Sequence, residues 1–219
     1  MKPKALLSWS SGKDSAFALH EVRRAGQLEI VGLLTTVNQQ FERVAMHAVR
    51  VELLRRQAEA ARLPLAIVEI PWPCPNGAYE AAMGEALRRA RDDGVTHVVF
   101  GDLFLADIRA YREAQLAPLG LVPVFPLWQR DTRALAHAMI DSGLSARLTC
   151  VDPRALDRRF AGRAFDRALL AELPSAVDPC GENGEFHTFV TGGPMFAHPI
   201  EVTPGDVVER DGFVFADLR

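Results

Sequence analysis

The chain has 219 residues, with 25 Lys+Arg against 28 Asp+Glu, a net charge of −3 and 48% hydrophobic residues. That balance excludes the strongly basic field suited to duplex DNA or an anionic membrane, and the apolar content excludes a disordered chain. At this length one large domain, or a main domain with a smaller companion, buries a substantial core.

No apolar stretch reaches the roughly 18 residues of a membrane span. The apolar run behind the basic start Met1-Lys2-Pro3-Lys4 stops at Trp9, short of a signal-peptide core of roughly 7 to 15 residues. Cys74, Cys150 and Cys180 are odd in number, far apart and without C-x-x-C spacing, which argues against a disulfide framework and against zinc. A reducing, cytoplasmic location is expected.

In chain order, residues 5–8, 29–35, 65–70, 96–100 and 122–125 are short, nearly continuous apolar runs, the pattern of strands buried on both faces. Between them, residues 14–25, 47–62, 78–93 and 107–117 keep apolar residues at three-to-four spacing and close near glycine or proline, which predicts helices. Strand and helix in alternation predict an α/β fold with a parallel sheet and right-handed crossovers. After Pro126 the pattern loosens into predicted helices at 132–141 and 165–173, a strand at 146–151, and alternating runs at 186–191 and 213–215 that suggest a small antiparallel region. The expected boundary divides residues 1–126 from 127–219. No flexible linker marks it, so the two parts are expected to pack together and share a cleft.

The motif Ser10-Ser11-Gly12-Lys13-Asp14-Ser15 follows the first predicted strand and opens the first predicted helix. In an open α/β sheet, ligands sit beyond the carboxyl ends of the strands, where a helix N-terminus offers N–H groups and a favourable dipole to phosphate. Gly12 lets backbone approach, Ser10, Ser11 and Ser15 offer hydroxyls, Lys13 supplies a compact charge, and Asp14 can cap the helix or hold magnesium. This is not a Walker A loop, since Leu7 and Asp14 stand where that motif needs glycine and a hydroxyl.

With sheet order 3-2-1-4-5 the loop leaving strand four faces the same crevice. It carries Gly101 and Asp102, and the following helix places Arg109, Arg112 and Glu113 on one face. Two guanidiniums there could hold a carboxylate or phosphate, with Glu113 orienting one of them; the competing reading is a solvated, salt-bridged face. A third cluster, Cys180-Gly181-Glu182-Asn183-Gly184-Glu185-Phe186-His187-Thr188, sets carboxylates and an imidazole in a glycine-flanked loop before a strand, which suits presentation of acid–base groups to a substrate. Glu185 and His187 share a side if that strand begins at Glu185. His47 is a candidate for the adenine side of the crevice. His20 and His97 read as structural histidines, Trp128 as packing between the two parts, and Cys180 as no nucleophile.

The Ser10 to Ser15 stretch resembles the S-G-G-K-D-S loop of the PP-loop ATP pyrophosphatases, with Ser11 in place of the first glycine. Gly101 to Glu113, Met46-His47, Gln57-Ala58-Glu59-Ala60, Pro126-Leu127-Trp128 and the closing G-E-x-G-E-x-x-T pattern at 181–188 extend the likeness over almost the whole chain. Taken together they resemble the diphthine-ammonia ligase family. The resemblance implies a HUP-type parallel five-stranded sheet flanked by helices, with a smaller α+β C-terminal domain. It implies ATP and Mg2+ as cofactors, and conversion of diphthine to diphthamide on a translation elongation factor. A carboxylate would attack the α-phosphate, pyrophosphate would leave, and ammonia would displace AMP to give an amide.

In that scheme Ser10, Ser11, Gly12, Lys13, Asp14, Ser15, His47, Gly101 and Asp102 bind the nucleotide, with Asp14 toward magnesium. Lys13 stabilises charge on pyrophosphate, while Glu182, Glu185 and His187 bind the acceptor or take a proton from ammonium. Arg109, Arg112, Glu113, Gly181, Asn183, Gly184 and Thr188 bind substrate. The partners are then ATP, ammonium and a carboxylate acceptor, without DNA or membrane, and a homodimer is left open. The alternatives are a PP-loop enzyme acting on another small-molecule or cofactor carboxylate, a tRNA-modifying relative, and a non-catalytic nucleotide-binding regulator.

Overall fold

The computed structural model describes residues 1–38 and 49–219, and the backbone of 43–44. In chain order the first part comprises β1 (Lys4–Ser8), α1 (Lys13–Ala25), β2 (Glu29–Asn38), β3 (Arg43–Val44), α2 (Val51–Ala61), β4 (Leu65–Ile70), α3 (Asn76–Asp92), β5 (Val95–Val99), α4 (Ala106–Leu116) and β6 (Val122–Val124). Five of the strands are parallel in the order β4-β2-β1-β5-β6, which is the 3-2-1-4-5 arrangement expected. The short β3 pairs antiparallel with Val37 and Asn38. Strand β2 runs past its predicted end because Thr36, Val37 and Asn38 continue the ladder with Val68, Glu69 and Ile70 of β4.

The central strands are apolar on successive residues because both faces are covered. Leu6, Leu34 and Val98 pack with Met83 and Leu87 of α3 and Leu116 of α4. Their neighbours Leu7, Leu33 and Val99 pack with Phe17 and Leu19 of α1 and Leu53 and Leu54 of α2. Burying side chains of this size contributes roughly 1.5–3 kcal/mol each.

The second part comprises α5 (Thr132–Asp141), β7 (Ser145–Val151), α6 (Arg167–Glu172), β8 (Phe186–Gly192), β9 (Pro204–Arg210) and β10 (Phe213–Leu218). Its four strands form an antiparallel sheet in the order β8-β7-β10-β9. Strand β9 has no counterpart among the predicted elements. It is an edge strand whose Val207 and Val208 are both exposed, so the hydrophobic alternation that marks a half-buried strand is missing.

Strand β8 lies against α1, and the core continues across the expected boundary. Leu148, Val151, Phe186, Phe189 and Val190 belong to the same apolar cluster as Leu7, Trp9, Phe17 and Leu54. The two parts therefore pack together as expected, and they do so through a shared core.

Candidate active site

The Ser10 to Ser15 loop joins the carboxyl end of β1 to the start of α1 and so lies at the switch point between β1 and β5, the usual ligand crevice of such sheets. Its internal bonds form a tight knot. Ser15 Oγ donates to the Gly12 carbonyl at 3.0 Å and lies 3.1 Å from Ser10 Oγ, and Gly12 N donates to Ser10 Oγ at 3.3 Å. Ser11 takes φ 71°, the left-handed region in which a side chain is costly. The glycine of the related motif is the residue this conformation favours. The Ser11 hydroxyl is buried and makes no hydrogen bond among the described residues.

The second part builds the other side of the loop. Val190 N donates to the Ser11 carbonyl at 3.0 Å, and Lys13 N donates to Thr188 Oγ1 at 3.0 Å. Gln57 of α2 is fully buried; its Nε2 donates to the carbonyls of Ser11 and Val190, at 3.0 and 2.7 Å, and its Oε1 accepts from Trp9 Nε1 at 2.9 Å. Of the amides expected to face phosphate, those of Gly12 and Lys13 are thus used inside the fold.

Lys13 is only 2% exposed. Its ammonium donates to Asp14 Oδ2 at 2.8 Å, to Asp14 Oδ1 at 3.1 Å and to the Cys180 carbonyl. It also stands 5.4 Å from the centre of the Phe186 ring and 5.7 Å from that of Phe165. Burial works against both charges of the pair and raises the Asp14 carboxyl. At Lys13 burial is outweighed by Asp14, with Cys180 and Glu182 adding, so its pKa is raised and the lysine remains a cation.

The two glutamates of the closing motif part company. Glu185, 5% exposed, accepts from Asp178 N at 2.9 Å and Asn183 Nδ2 at 3.0 Å through Oε1, and from Asn183 N at 3.0 Å through Oε2. It organises its own loop. Glu182 reaches out instead, accepting from Leu103 N at 2.8 Å and so bridging to the loop after β5. Burial pushes its carboxyl up to about 7, with the nearby Asp14 adding and the Leu103 and Phe104 amides and Lys13 opposing.

Strand β8 begins at Phe186, one residue later than the shared-side expectation for Glu185 and His187 required. Thr188 meets the Lys13 amide and Phe186 meets the Lys13 head group. Alternation then puts His187, between them, on the opposite face of the strand. Burial, with Lys13 contributing, lowers the His187 pKa to about 4, so the imidazole is neutral.

Gly101 sits where the loop after β5 crosses the first turn of α1. A Cβ there would lie 2.8 Å from Asp14 C and from Ser15 N, so only glycine permits the approach. Asp102 pairs with Arg112 at 3.6 Å, too long for a hydrogen bond, and burial raises the Asp102 carboxyl against the pull of Arg112. Arg112 also covers the Phe100 ring at 4.9 Å. Arg109 donates from Nε to Glu113 at 2.7 Å and stacks on Phe125 at 4.9 Å and Trp128 at 4.8 Å. The two arginines therefore have separate neighbours, and among the described residues Glu113 pairs with Arg109 and not with Arg112. Trp128 belongs to this stack, with its ring 5.8 Å from that of Phe125.

Gly181 and Gly184 take φ 68° and 86° and supply the turns of the closing loop, from which the Asn183 side chain reaches back to Glu185. Burial pushes the Cys180 thiol up, in keeping with its reading as no nucleophile. His47 lies outside the described residues. Gln57 is the residue whose part in the site the sequence pattern did not reveal. The signal was there: a polar residue in line with Leu53, Leu54, Ala58 and Ala61 on the buried face of α2.

Two family models match the chain: diphthamide synthase N-terminal domain over residues 1–121 and diphthamide synthase C-terminal domain over residues 131–215. The diphthine-ammonia ligase of Schizosaccharomyces pombe is 37% identical over 96 residues, which span 42% of this chain and 16% of that protein. That of Homo sapiens is 27% identical over an alignment spanning 100% of this chain and 89% of that protein. That of Danio rerio is 28% identical over 95% of this chain and 90% of that protein.

Proposed function

The chain belongs to the diphthamide synthase family, and from that premise we propose that it is an ATP-dependent ligase that forms an amide from a carboxylate and ammonia. The acceptor in this reading is diphthine on a translation elongation factor. The observation that carries the reading is the junction at the crevice, where β8 and the 178–185 loop bond directly to the phosphate loop through Val190, Thr188 and Cys180. A nucleotide at the loop and an acceptor on the second part would then meet at one point. A nucleotide sensor has no need of the carboxylates gathered there.

Residues 1–126 would bind the nucleotide and residues 127–219 the acceptor. An acceptor carboxylate oxygen attacks the α-phosphorus, the bond to the bridging oxygen breaks, and pyrophosphate leaves with the electron pair. Ammonia then adds through its lone pair to the acyl carbon, the bond to AMP breaks, and one proton passes to a base. Lys13, once its head group leaves Asp14 and the Cys180 carbonyl, and the hydroxyls of Ser10, Ser11 and Ser15 would meet the phosphates and stabilise the charge that builds there. Asp14 is an oxygen donor of the kind magnesium takes beside phosphate oxygens and water, and it would hold the ion that shields charge on pyrophosphate. Glu182, with its pKa near 7, suits the proton transfers. Glu185 supports it by shaping the loop, and Arg109, fixed by Glu113 and two aromatic rings, offers its remaining N–H groups to an acidic group of the acceptor.

The test is direct. The protein is incubated with ATP, magnesium, ammonium and diphthine-bearing elongation factor, and AMP and pyrophosphate are assayed. Stoichiometric release of both, dependent on acceptor and ammonium, is expected. Absence of both with that acceptor and with a panel of other carboxylates would overturn the reading.

A further inference from the structure

The head group of Lys13 is held by a set of groups that suits a free ammonium ion equally well. Two carboxylate oxygens of Asp14 and the carbonyl of Cys180 accept its N–H bonds, and the rings of Phe186 and Phe165 stand 5.4 and 5.7 Å away. Carboxylate and carbonyl oxygens with aromatic rings around a desolvated centre are the chemistry that retains small ammonium cations.

The cage walls are fixed. Phe186 and Phe165 are 1% and 3% exposed, and Gly181 packs so tightly on Phe186 that a Cβ there would lie 2.8 Å from the Phe186 carbonyl. The Lys13 amide is tied to Thr188, yet its side chain is a flexible four-carbon stem rooted in the phosphate loop itself. Under the ligase reading one lysine thus has two destinations: the cage it occupies, and phosphates bound at the loop.

We propose that this cage is the binding site for the ammonium co-substrate, entered when Lys13 turns from it to the nucleotide phosphates. The proposal rests on the ligase reading and deepens it, since it places the nitrogen donor beside Asp14 and couples its arrival to the nucleotide. The protein's own lysine acts as a stand-in for the ion. Sodium, being smaller and holding its hydration shell more tightly, fits such a cage less well.

Thermal melting of the Lys13→Ala variant tests the cage without catalysis. At equal ionic strength, ammonium or methylammonium chloride is expected to raise its Tm by about 2–4 °C over sodium chloride, the size of a weakly bound ligand at several times its Kd. The wild-type chain, with the cage filled by Lys13, is expected to melt alike in all three salts. Identical melting of the variant in ammonium and sodium, or an equal ammonium effect in wild type, would overturn the proposal.

Should Lys13→Ala fail to fold, Phe186→Leu keeps the question open to measurement. The KM for ammonium is expected to rise about thirtyfold, the worth of one desolvated cation–π contact, while the KM for ATP stays put. An unchanged ammonium KM, or both constants moving together, overturns the cage. The two readings separate cleanly. An enzyme that releases AMP but whose lysine variant ignores ammonium loses the cage and keeps the ligase activity. Ammonium-specific stabilisation without AMP release does the reverse.

Discussion

Gly101 illustrates how much of this site is decided at single residues. Its sequence position in the loop after β5 suggested contact with nucleotide, whereas the geometry gives a steric reason of its own: a Cβ would press within 2.8 Å of the α1 backbone at Asp14 and Ser15. Gly101→Ala is expected to destabilise the fold by about 1–3 kcal/mol, the usual cost of overpacking, as read by urea unfolding. His187 gives a pH prediction. Its folded pKa is depressed from 6.5 to about 4, so the unfolded chain takes up the proton first. Stability is therefore intact above pH 6.5 and lost as the pH falls from 6.5 toward 4. Tm measured across that window should fall less steeply in His187→Gln than in wild type, because the variant has lost this proton uptake. A parallel fall in both would mean that other groups set the acid limb. The residue types were legible in the sequence here, but their directions were not: nothing in the spacing of Glu182 and Glu185 tells that one turns to Leu103 and the other into its own loop.

At the scale of elements, periodicity did well where burial is two-sided. The five parallel strands and the helices between them follow from apolar runs that must be covered on both faces. It failed at β9, an exposed edge strand, although Asp211-Gly212 carries the turn signal of a hairpin and takes φ 51° and 78°. Gln57 was hidden for the opposite reason. One polar side chain on an apolar helix face looks like a blemish until its partners are known: Trp9 just past β1, Ser11 of the phosphate loop and Val190 of β8. Because all three of its bonds are buried, Gln57→Leu should cost about 2–4 kcal/mol through donors and acceptors left unmatched. Chemical denaturation would measure it, and a cost below about 0.5 kcal/mol would show that the three-way tie is dispensable.

At the scale of the whole molecule, the two sheets share one apolar core and meet at the phosphate loop. Far-UV circular dichroism and tryptophan fluorescence should therefore report coincident unfolding transitions; two separated transitions would mean that the halves are independent. The same junction has a consequence in time. Thr188 bonds to Lys13 across 175 residues of chain, and Val190 closes on Ser11 from a similar distance. During synthesis the loop that emerges first must wait for nearly the whole polypeptide before its last hydrogen bonds form. Domains commonly fold from the N-terminal end as they leave the ribosome, but the Ser10 to Ser15 loop reaches its final form only when β8 arrives. A growing chain therefore carries an unfinished loop, and under the proposed function the capacity to engage ATP would mature together with the part assigned to the acceptor.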